Sequence, residues 1–242
     1  MKSSSENFPV RLIKADIIGD LTNDVYLLKH GRDYDPSVEV ALSHVGIYGQ
    51  PAQQRQPIIM VHGSFTNRGF WLSASGIGLA RYLTEAGFDV WLMETRGHGL
   101  SPRNNSYKDN SLERYSVSDM SAVNEFVIEK TGLKPIWLGH SLGGVLIATA
   151  VAAGTLPQSQ IAGLVLLGTQ VLRRRWFFQI PLVAELGKLL FRFKSEMDGR
   201  KLKIGPENEP AGIAKEYLNW FGLCKQWQFK GSNVSLLEQW QA

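Results

Sequence analysis

The sequence predicts an α/β protein with a mostly parallel, open β-sheet and flanking helices. Short apolar segments alternate with helical segments between residues 57 and 167, and glycines stand at several of the junctions. Parallel strands need crossover connections, which helices usually supply, so this alternation is typical of a parallel sheet covered on both faces. The length of 242 residues and the hydrophobic content of 44% suffice for one large domain of this class. They exclude a fibrous or disordered chain.

Each predicted element follows from its local pattern. In the first quarter of the chain, short runs with strand chemistry are separated by Gly, Asp, Asn and Pro, which are turn residues. Further along, apolar runs predict buried strands, and apolar residues at helical spacing predict the helices between them. In chain order we predict strands at 10–18, 24–29, 38–45 and 57–61, a helix at 77–85, a strand at 88–93, a helix at 118–130, a strand at 135–138, a helix at 142–153 and a strand at 164–167.

The pattern changes after Gly168. Apolar residues at helical spacing predict an amphipathic helix over residues 181–193 and a second helix over residues 210–221, and no further strand is expected. Residues 173–194 interleave aromatic with basic side chains. This segment either contacts an anionic lipid surface or covers a pocket with its apolar face while its basic residues are solvated, and the two can coexist.

The net charge bears on the kind of partner, and the cysteine content bears on the cellular compartment. The formal net charge is +4, and residues 171–203 alone carry nine basic and three acidic side chains, so the rest of the chain is slightly acidic. Such a local excess disfavours a nucleic-acid partner. The single cysteine, Cys224, cannot form an internal disulfide, which suits a reducing, cytoplasmic compartment. We expect no metal site and no cofactor, no signal peptide, and no membrane span, because no apolar run approaches ~20 residues.

The segment most informative about chemistry has the form GxSxG and lies between a predicted buried strand and a predicted helix. It reads Gly139-His140-Ser141-Leu142-Gly143. In this setting the serine stands on a strained turn at the helix N-terminus, where the Leu142 N–H can stabilise an oxyanion. The loop after the strand at 57–61 ends at the same edge of a parallel sheet. Its Ser64 N–H is our expected second donor, with the Phe65 N–H as the alternative.

Three stretches together resemble the α/β-hydrolase fold family, in particular lipase- and lysophospholipase-like members. They read IIMVHGSF, GFDVWLMETRGHGLSPR and PIWLGHSLGG. The resemblance implies that Ser141 is the nucleophile of a serine hydrolase that cleaves carboxylic esters with an apolar acyl part through an acyl-enzyme. It also implies a core over residues 1–169 and a helical lid over residues 170–242. By the same resemblance, His62 and His98 organise their glycine-rich loops, whereas Arg96 and Asp119 are expected to be a loop residue and a helix cap.

The sequence departs from the family in one respect. Family members place an acid and a histidine downstream of the serine. All five histidines here lie at or before residue 140, and no acid after Ser141 follows a predicted strand. A strand at 164–167 would also leave an exposed apolar edge, which a longer chain or a second copy could cover. We therefore expect the N-terminal portion of a longer hydrolase, without the last strands of the fold.

Two other functions stay open at this point. A catalytically incomplete hydrolase-like protein could bind a small apolar ligand or a partner beneath the lid. The same nucleophile could also cleave a thioester, an amide or a carbon–carbon bond, because the pocket rather than the fold decides the substrate. The oligomeric state and the leaving group do not follow from the sequence.

Overall fold

The computed structural model of the protein describes residues 4–50, 53–171, 186, 189, 194–221 and 227–241. Within these residues the strands are β1 (Val10–Ile18), β2 (Leu21–Leu28), β3 (Val40–Ile47), β4 (Pro57–Val61), β5 (Asp89–Glu94), β6 (Ile136–His140), β7 (Gly163–Leu167), β8 (Glu196–Asp198) and β9 (Asn208–Pro210). The α-helices are α1 (Leu79–Glu85), α2 (Leu112–Arg114), α3 (Met120–Thr131), α4 (Leu142–Ala152), α5 (Ala211–Phe221) and α6 (Leu236–Gln241). A π-helical turn, Tyr115–Asp119, joins α2 to α3.

Seven strands form one twisted sheet in the order β1-β2-β3-β5-β4-β6-β7. The first three strands and β5 pair antiparallel, whereas β5, β4, β6 and β7 pair parallel. Five of the seven strands therefore run in one direction, which confirms the predicted mostly parallel α/β class. Every residue of β4 is buried because both faces of this central strand are covered. The carboxyl ends of β4, β5 and β6 consequently meet at one edge of the sheet.

Helices cover the two faces of the sheet and bury its core. On one face, Trp91, Phe126 and Trp137 belong to a cluster that includes most apolar residues of α3 and α4. A smaller cluster on the other face gathers around Trp71 and Met60 and includes Ala80 of α1. Helix α4 is apolar all round and almost entirely buried, as expected for a helix at the centre of a domain. The helix that follows the predicted turn is thus fixed rigidly.

The part of the chain after Gly168 differs from the prediction in one respect. The helix over residues 210–221 is confirmed as α5, and the helix over residues 181–193 lies almost entirely outside the described residues. The expectation of no further strand is wrong, since β8 and β9 pair antiparallel in a separate two-stranded sheet. Strands of three residues are too short to show a periodic alternation of apolar side chains, so the sequence gives no signal for them. The division into a core and a lid stays a prediction.

The last strand of the large sheet, β7, lies at its edge. Val165 and Leu167 expose 40% and 39% of their surface there. Among the described residues no strand pairs with the outer side of β7. The apolar edge expected from the sequence is therefore present in this part of the chain.

Candidate active site

Ser141 lies at the junction of β6 and α4, in a strained backbone conformation. Its φ of 50° and ψ of −113° fall in a region that residues other than glycine seldom adopt. Two main-chain hydrogen bonds hold it, from the Ser141 N–H to the Leu167 carbonyl at 2.9 Å and from the Val145 N–H to the Ser141 carbonyl at 3.1 Å. The serine hydroxyl bonds to no side chain in the described part of the chain. Strand, turn and helix thus present Ser141 at the carboxyl edge of the sheet.

Close backbone contacts bring the loop after β4 against this turn. We call residues 62–65 the oxyanion loop, after the role that the sequence predicts for Ser64. A Cβ on Gly143, the second residue of α4, would lie 2.4 Å from the Val61 carbonyl oxygen and 2.6 Å from that of His62. A Cβ on Gly63 would lie 3.3 Å from the Ser141 Cβ. A side chain at position 143 would collide with the main chain, so Gly143 allows the close contact between α4 and the end of β4. The other glycine of the motif, Gly139, lies within β6.

The amides predicted to bind an oxyanion differ in their partners. The Phe65 N–H donates to Oε1 of Glu209 at 2.9 Å, and Phe65 itself has a φ of 59°. The N–H groups of Ser64 and Leu142 have no hydrogen-bond acceptor among the described residues. Leu142 begins α4, so its amide is at the positive end of the helix dipole. Of the predicted amides, those of Ser64 and Leu142 are thus the free ones.

His62 is buried and fully engaged in its own loop. Its Nδ1 donates to the Gly63 carbonyl at 2.8 Å, and its Nε2 accepts from the Thr95 N–H at 3.2 Å. Burial, with the neighbouring charge of His98, lowers the pKa of His62 to about 3. The ring is therefore neutral and joins the ends of β4 and β5, and it has no nitrogen left to accept a proton from Ser141.

His98 joins the loop after β5 to the β8–β9 hairpin. Its Nε2 donates to Oε1 of Glu209 at 3.2 Å, and its Nδ1 donates to the Arg96 carbonyl at 3.1 Å. Burial disfavours the charged ring, but the Glu209 carboxylate outweighs it and raises the pKa of His98. Both ring nitrogens are occupied, so these contacts favour a structural role for His98 as well.

A buried ion network anchors the same loop, and it gives Asp119 a different role from the one expected. Arg96 is fully buried and binds both carboxylate oxygens of Asp119, while its Nη1 donates to Asp33 at 2.7 Å. His30 binds the same Asp119 carboxylate at 3.0 Å. Asp119 stands at the predicted N-cap position of α3, but its side chain forms no capping bond to the helix. The guanidinium satisfies the carboxylate better than the amides of the helix start would.

Sequence reasoning missed the acidic residues of the β8–β9 hairpin. Glu209 lies on β9 and contacts the oxyanion loop, and Glu207 accepts hydrogen bonds from the Asn67 side chain and, at 3.3 Å, from the Gly99 N–H. These partners are more than 100 residues earlier in the chain. No local spacing links them, so only the tertiary fold could have identified the contact.

The described residues lack two kinds of feature. No helix in them has the length and apolar composition of a membrane span. They also contain no group of three or more His, Cys, Asp and Glu side chains arranged to hold a metal ion. The cytoplasmic location and the contact of the lid with lipid stay predictions.

Comparisons with known proteins relate the chain to lipases and esterases. It is 34% identical to gastric triacylglycerol lipase of Homo sapiens over 132 residues, which cover 51% of this chain and 31% of that protein. It is 30% identical to lipase member N of Homo sapiens over 113 residues, or 43% of this chain and 28% of that protein. The chain thus spans about a third of the length of these two lipases.

Solved structures agree on the fold. The monoacylglycerol lipase of Paleococcus ferrophilus matches with a TM-score of 0.51 at 20% identity, covering 76% of this chain and 70% of that one. An acetyl xylan esterase from Paenibacillus sp. R4 matches with a TM-score of 0.52 at 14% identity, covering 88% and 67%. The model of the alpha/beta hydrolase fold matches residues 56–216, more than half of the chain. The chain therefore belongs to the alpha/beta hydrolase fold family.

Proposed function

We propose that this chain carries the nucleophile and the oxyanion site of a serine hydrolase that cleaves carboxylic esters with an apolar acyl group. The observation that carries this proposal is the conformation of Ser141, which is strained at the β6–α4 turn and packed against Gly63 of the oxyanion loop. Backbone strain of about 1–3 kcal/mol persists only where the surroundings enforce it, and it clusters at active sites. The relatives named as lipases support ester hydrolysis as the reaction class.

The chemistry follows from the groups around Ser141. Its Oγ attacks the carbonyl carbon of the ester, and the Leu142 and Ser64 amides stabilise the charge that develops on the carbonyl oxygen. Collapse of the tetrahedral intermediate expels the alcohol, and water then hydrolyses the acyl-enzyme. The Phe65 amide is our less favoured donor, because it already donates to Glu209.

We assign no residue of the chain as the general base. His62 and His98 have both ring nitrogens in hydrogen bonds, and His30 is likewise held by Asp119 and the Arg32 N–H. A serine hydroxyl without a base is a weak nucleophile, so the reaction needs a partner for Ser141 that these three histidines do not provide.

The experiment is covalent labelling of the protein from its natural source with a fluorophosphonate, followed by mass spectrometry of its peptides. We expect the label on Ser141, and we expect the Ser141→Ala variant to lose both labelling and hydrolysis of a p-nitrophenyl acyl ester. Ser159→Ala is the matched control, because Ser159 is an exposed serine outside the β6–α4 turn and the oxyanion loop, and this variant should be labelled and active like the wild type. An unlabelled Ser141 with no ester turnover would refute the proposal. The comparisons do not favour the alternative of a non-catalytic binding protein.

A further inference from the structure

The β8–β9 hairpin lies directly on the oxyanion loop. The Glu207 N–H donates to the Phe65 carbonyl at 3.0 Å, and the Phe65 N–H donates to Oε1 of Glu209 at 2.9 Å. Both main-chain groups of Phe65 are therefore held by residues about 140 positions later in the chain. Phe65 needs such support, because its φ of 59° is unfavourable for a large side chain.

Glu209 connects this loop to the loop after β5. Its Oε1 binds both the Phe65 N–H and Nε2 of His98, and the side chain is 1% exposed. Its Oε2 is buried and has no hydrogen-bond partner among the described residues. A buried carboxylate with an unsatisfied oxygen is costly to desolvate, and such a group in a folded protein calls for a reason.

We propose that Glu209 is a positioning residue that fixes the oxyanion loop for catalysis at Ser141. The inference rests on the proposed function. The carboxylate accepts the hydrogen bond of the Phe65 N–H, and this bond fixes the peptide plane that directly follows the one carrying the Ser64 N–H. The free Ser64 amide is then preorganised as an oxyanion donor, and no loop movement is needed when charge develops. Glu209 itself does not touch the substrate.

The test compares three variants of the full-length protein. Glu209→Ala removes the acceptor of the Phe65 N–H, whereas Glu209→Gln keeps an acceptor oxygen without the charge. Glu196→Ala is the matched control on β8, because the Glu196 carboxylate pairs with Arg103 and Asn208 and not with Phe65 or His98. The measurements are kcat and KM for a p-nitrophenyl acyl ester and the hydrogen-exchange rate of the Phe65 amide.

For Glu209→Ala we expect kcat to fall roughly 10- to 100-fold with little change in KM, because a misplaced oxyanion donor weakens only the transition state. The Phe65 amide should exchange faster. Glu209→Gln should recover most of kcat and of the protection at Phe65, and Glu196→Ala should match the wild type in both. If Glu209→Ala does not fold, Glu209→Asp, which withdraws the acceptor by one methylene, should show the same loss of kcat.

Two results would overturn the inference. One is an active wild type together with an unchanged kcat in Glu209→Ala, or in Glu209→Asp if the Ala variant does not fold. The other is a Gln variant as impaired as the Ala variant, which would make the charge rather than the acceptor essential. Failure of the proposed function is distinguishable, because the wild type would then neither be labelled at Ser141 nor turn over the ester. The exchange rate of the Phe65 amide would still report whether Glu209 holds the loop.

Discussion

Replacing Gly143 by alanine tests whether the close approach of α4 to β4 sets the position of Ser141. The added Cβ would lie 2.4 Å from the Val61 carbonyl oxygen, 2.6 Å from that of His62 and 2.9 Å from the Val61 carbonyl carbon. All three atoms belong to the main chain, so no rotamer change can relieve the contact. Helix propensity alone has the opposite sign, since alanine is favoured over glycine in a helix by about 1 kcal/mol.

The magnitude follows from these two effects. Overpacking a well-packed core costs about 1–3 kcal/mol, and a contact with the main chain of a fully buried strand belongs at the upper end of that range. After the gain in helix propensity, we expect Gly143→Ala to lower the free energy of unfolding by about 2 kcal/mol. Urea unfolding at equilibrium measures it. Gly163→Ala in β7 is the control, because a Cβ there would meet no atom of the described residues within 4 Å, apart from its own neighbours in the chain.

The same substitution should impair chemistry. Relief of the contact moves α4 and Ser141 away from the oxyanion loop, and a displacement of about 1 Å between reacting groups costs around 100-fold in rate. Fluorophosphonate labelling of Ser141 should therefore slow by about that factor in Gly143→Ala and stay unchanged in Gly163→Ala. A Gly143→Ala variant as stable as the wild type, or more stable, would refute the reasoning, since helix propensity would then decide the outcome.

Three further predictions concern strain, buried charge and pH. Ser141→Gly should raise the free energy of unfolding by about 1 kcal/mol, because glycine adopts a φ of 50° without strain and the Ser141 side chain forms no capping bond. Thermal denaturation measures this change, and a loss of stability would contradict the prediction. Arg96→Met should lower the free energy of unfolding by about 3–5 kcal/mol, because Asp119 and Asp33 lose their buried cation. Urea unfolding measures this loss, and a change below about 1 kcal/mol would show that the network is dispensable. Because burial lowers the pKa of His62 from 6.5 to about 3, the unfolded chain binds a proton in this window that the folded protein does not. The free energy of unfolding should then decrease as the pH falls from 6.5 towards 3, by up to about 1.4 kcal/mol per pH unit. The decrease should be steeper in the wild type than in His62→Gln. Parallel pH profiles of the two proteins would refute this prediction.

The core of the fold was predictable because its elements have strong local signals. Strands β4 to β7 are apolar runs, and each ends near a glycine or at the start of a helix with clear spacing. The strained turn at Ser141 was predictable for the same reason, since such a turn requires glycines at fixed positions. Strands β8 and β9 have three residues each, so no periodic pattern of apolar residues predicts them.

The partners of buried charges were not predictable. Asp119 precedes a helix and was expected to cap it, but the structure brings Arg96 and His30 to its carboxylate from elsewhere in the chain. Glu209 follows no predicted strand, so the sequence assigns it no partner. Local patterns fix which side chains are apolar, whereas the partner of a buried carboxylate depends on which distant segments the fold juxtaposes.

The oxyanion loop and the loop after β5 are held by different interactions from those that hold Ser141. Main-chain contacts and glycines fix the serine, and these belong to the packed core of β4, β6 and α4. The oxyanion loop and the loop after β5 lie at the sheet edge, and buried charge pairs at Glu209 and Arg96 supplement their packing. Substitutions at Gly143 should therefore lower stability and reactivity together. Substitutions at Glu209 should lower kcat by a larger factor than their effect on global stability accounts for, because the packed core stays intact while one amide loses its orientation.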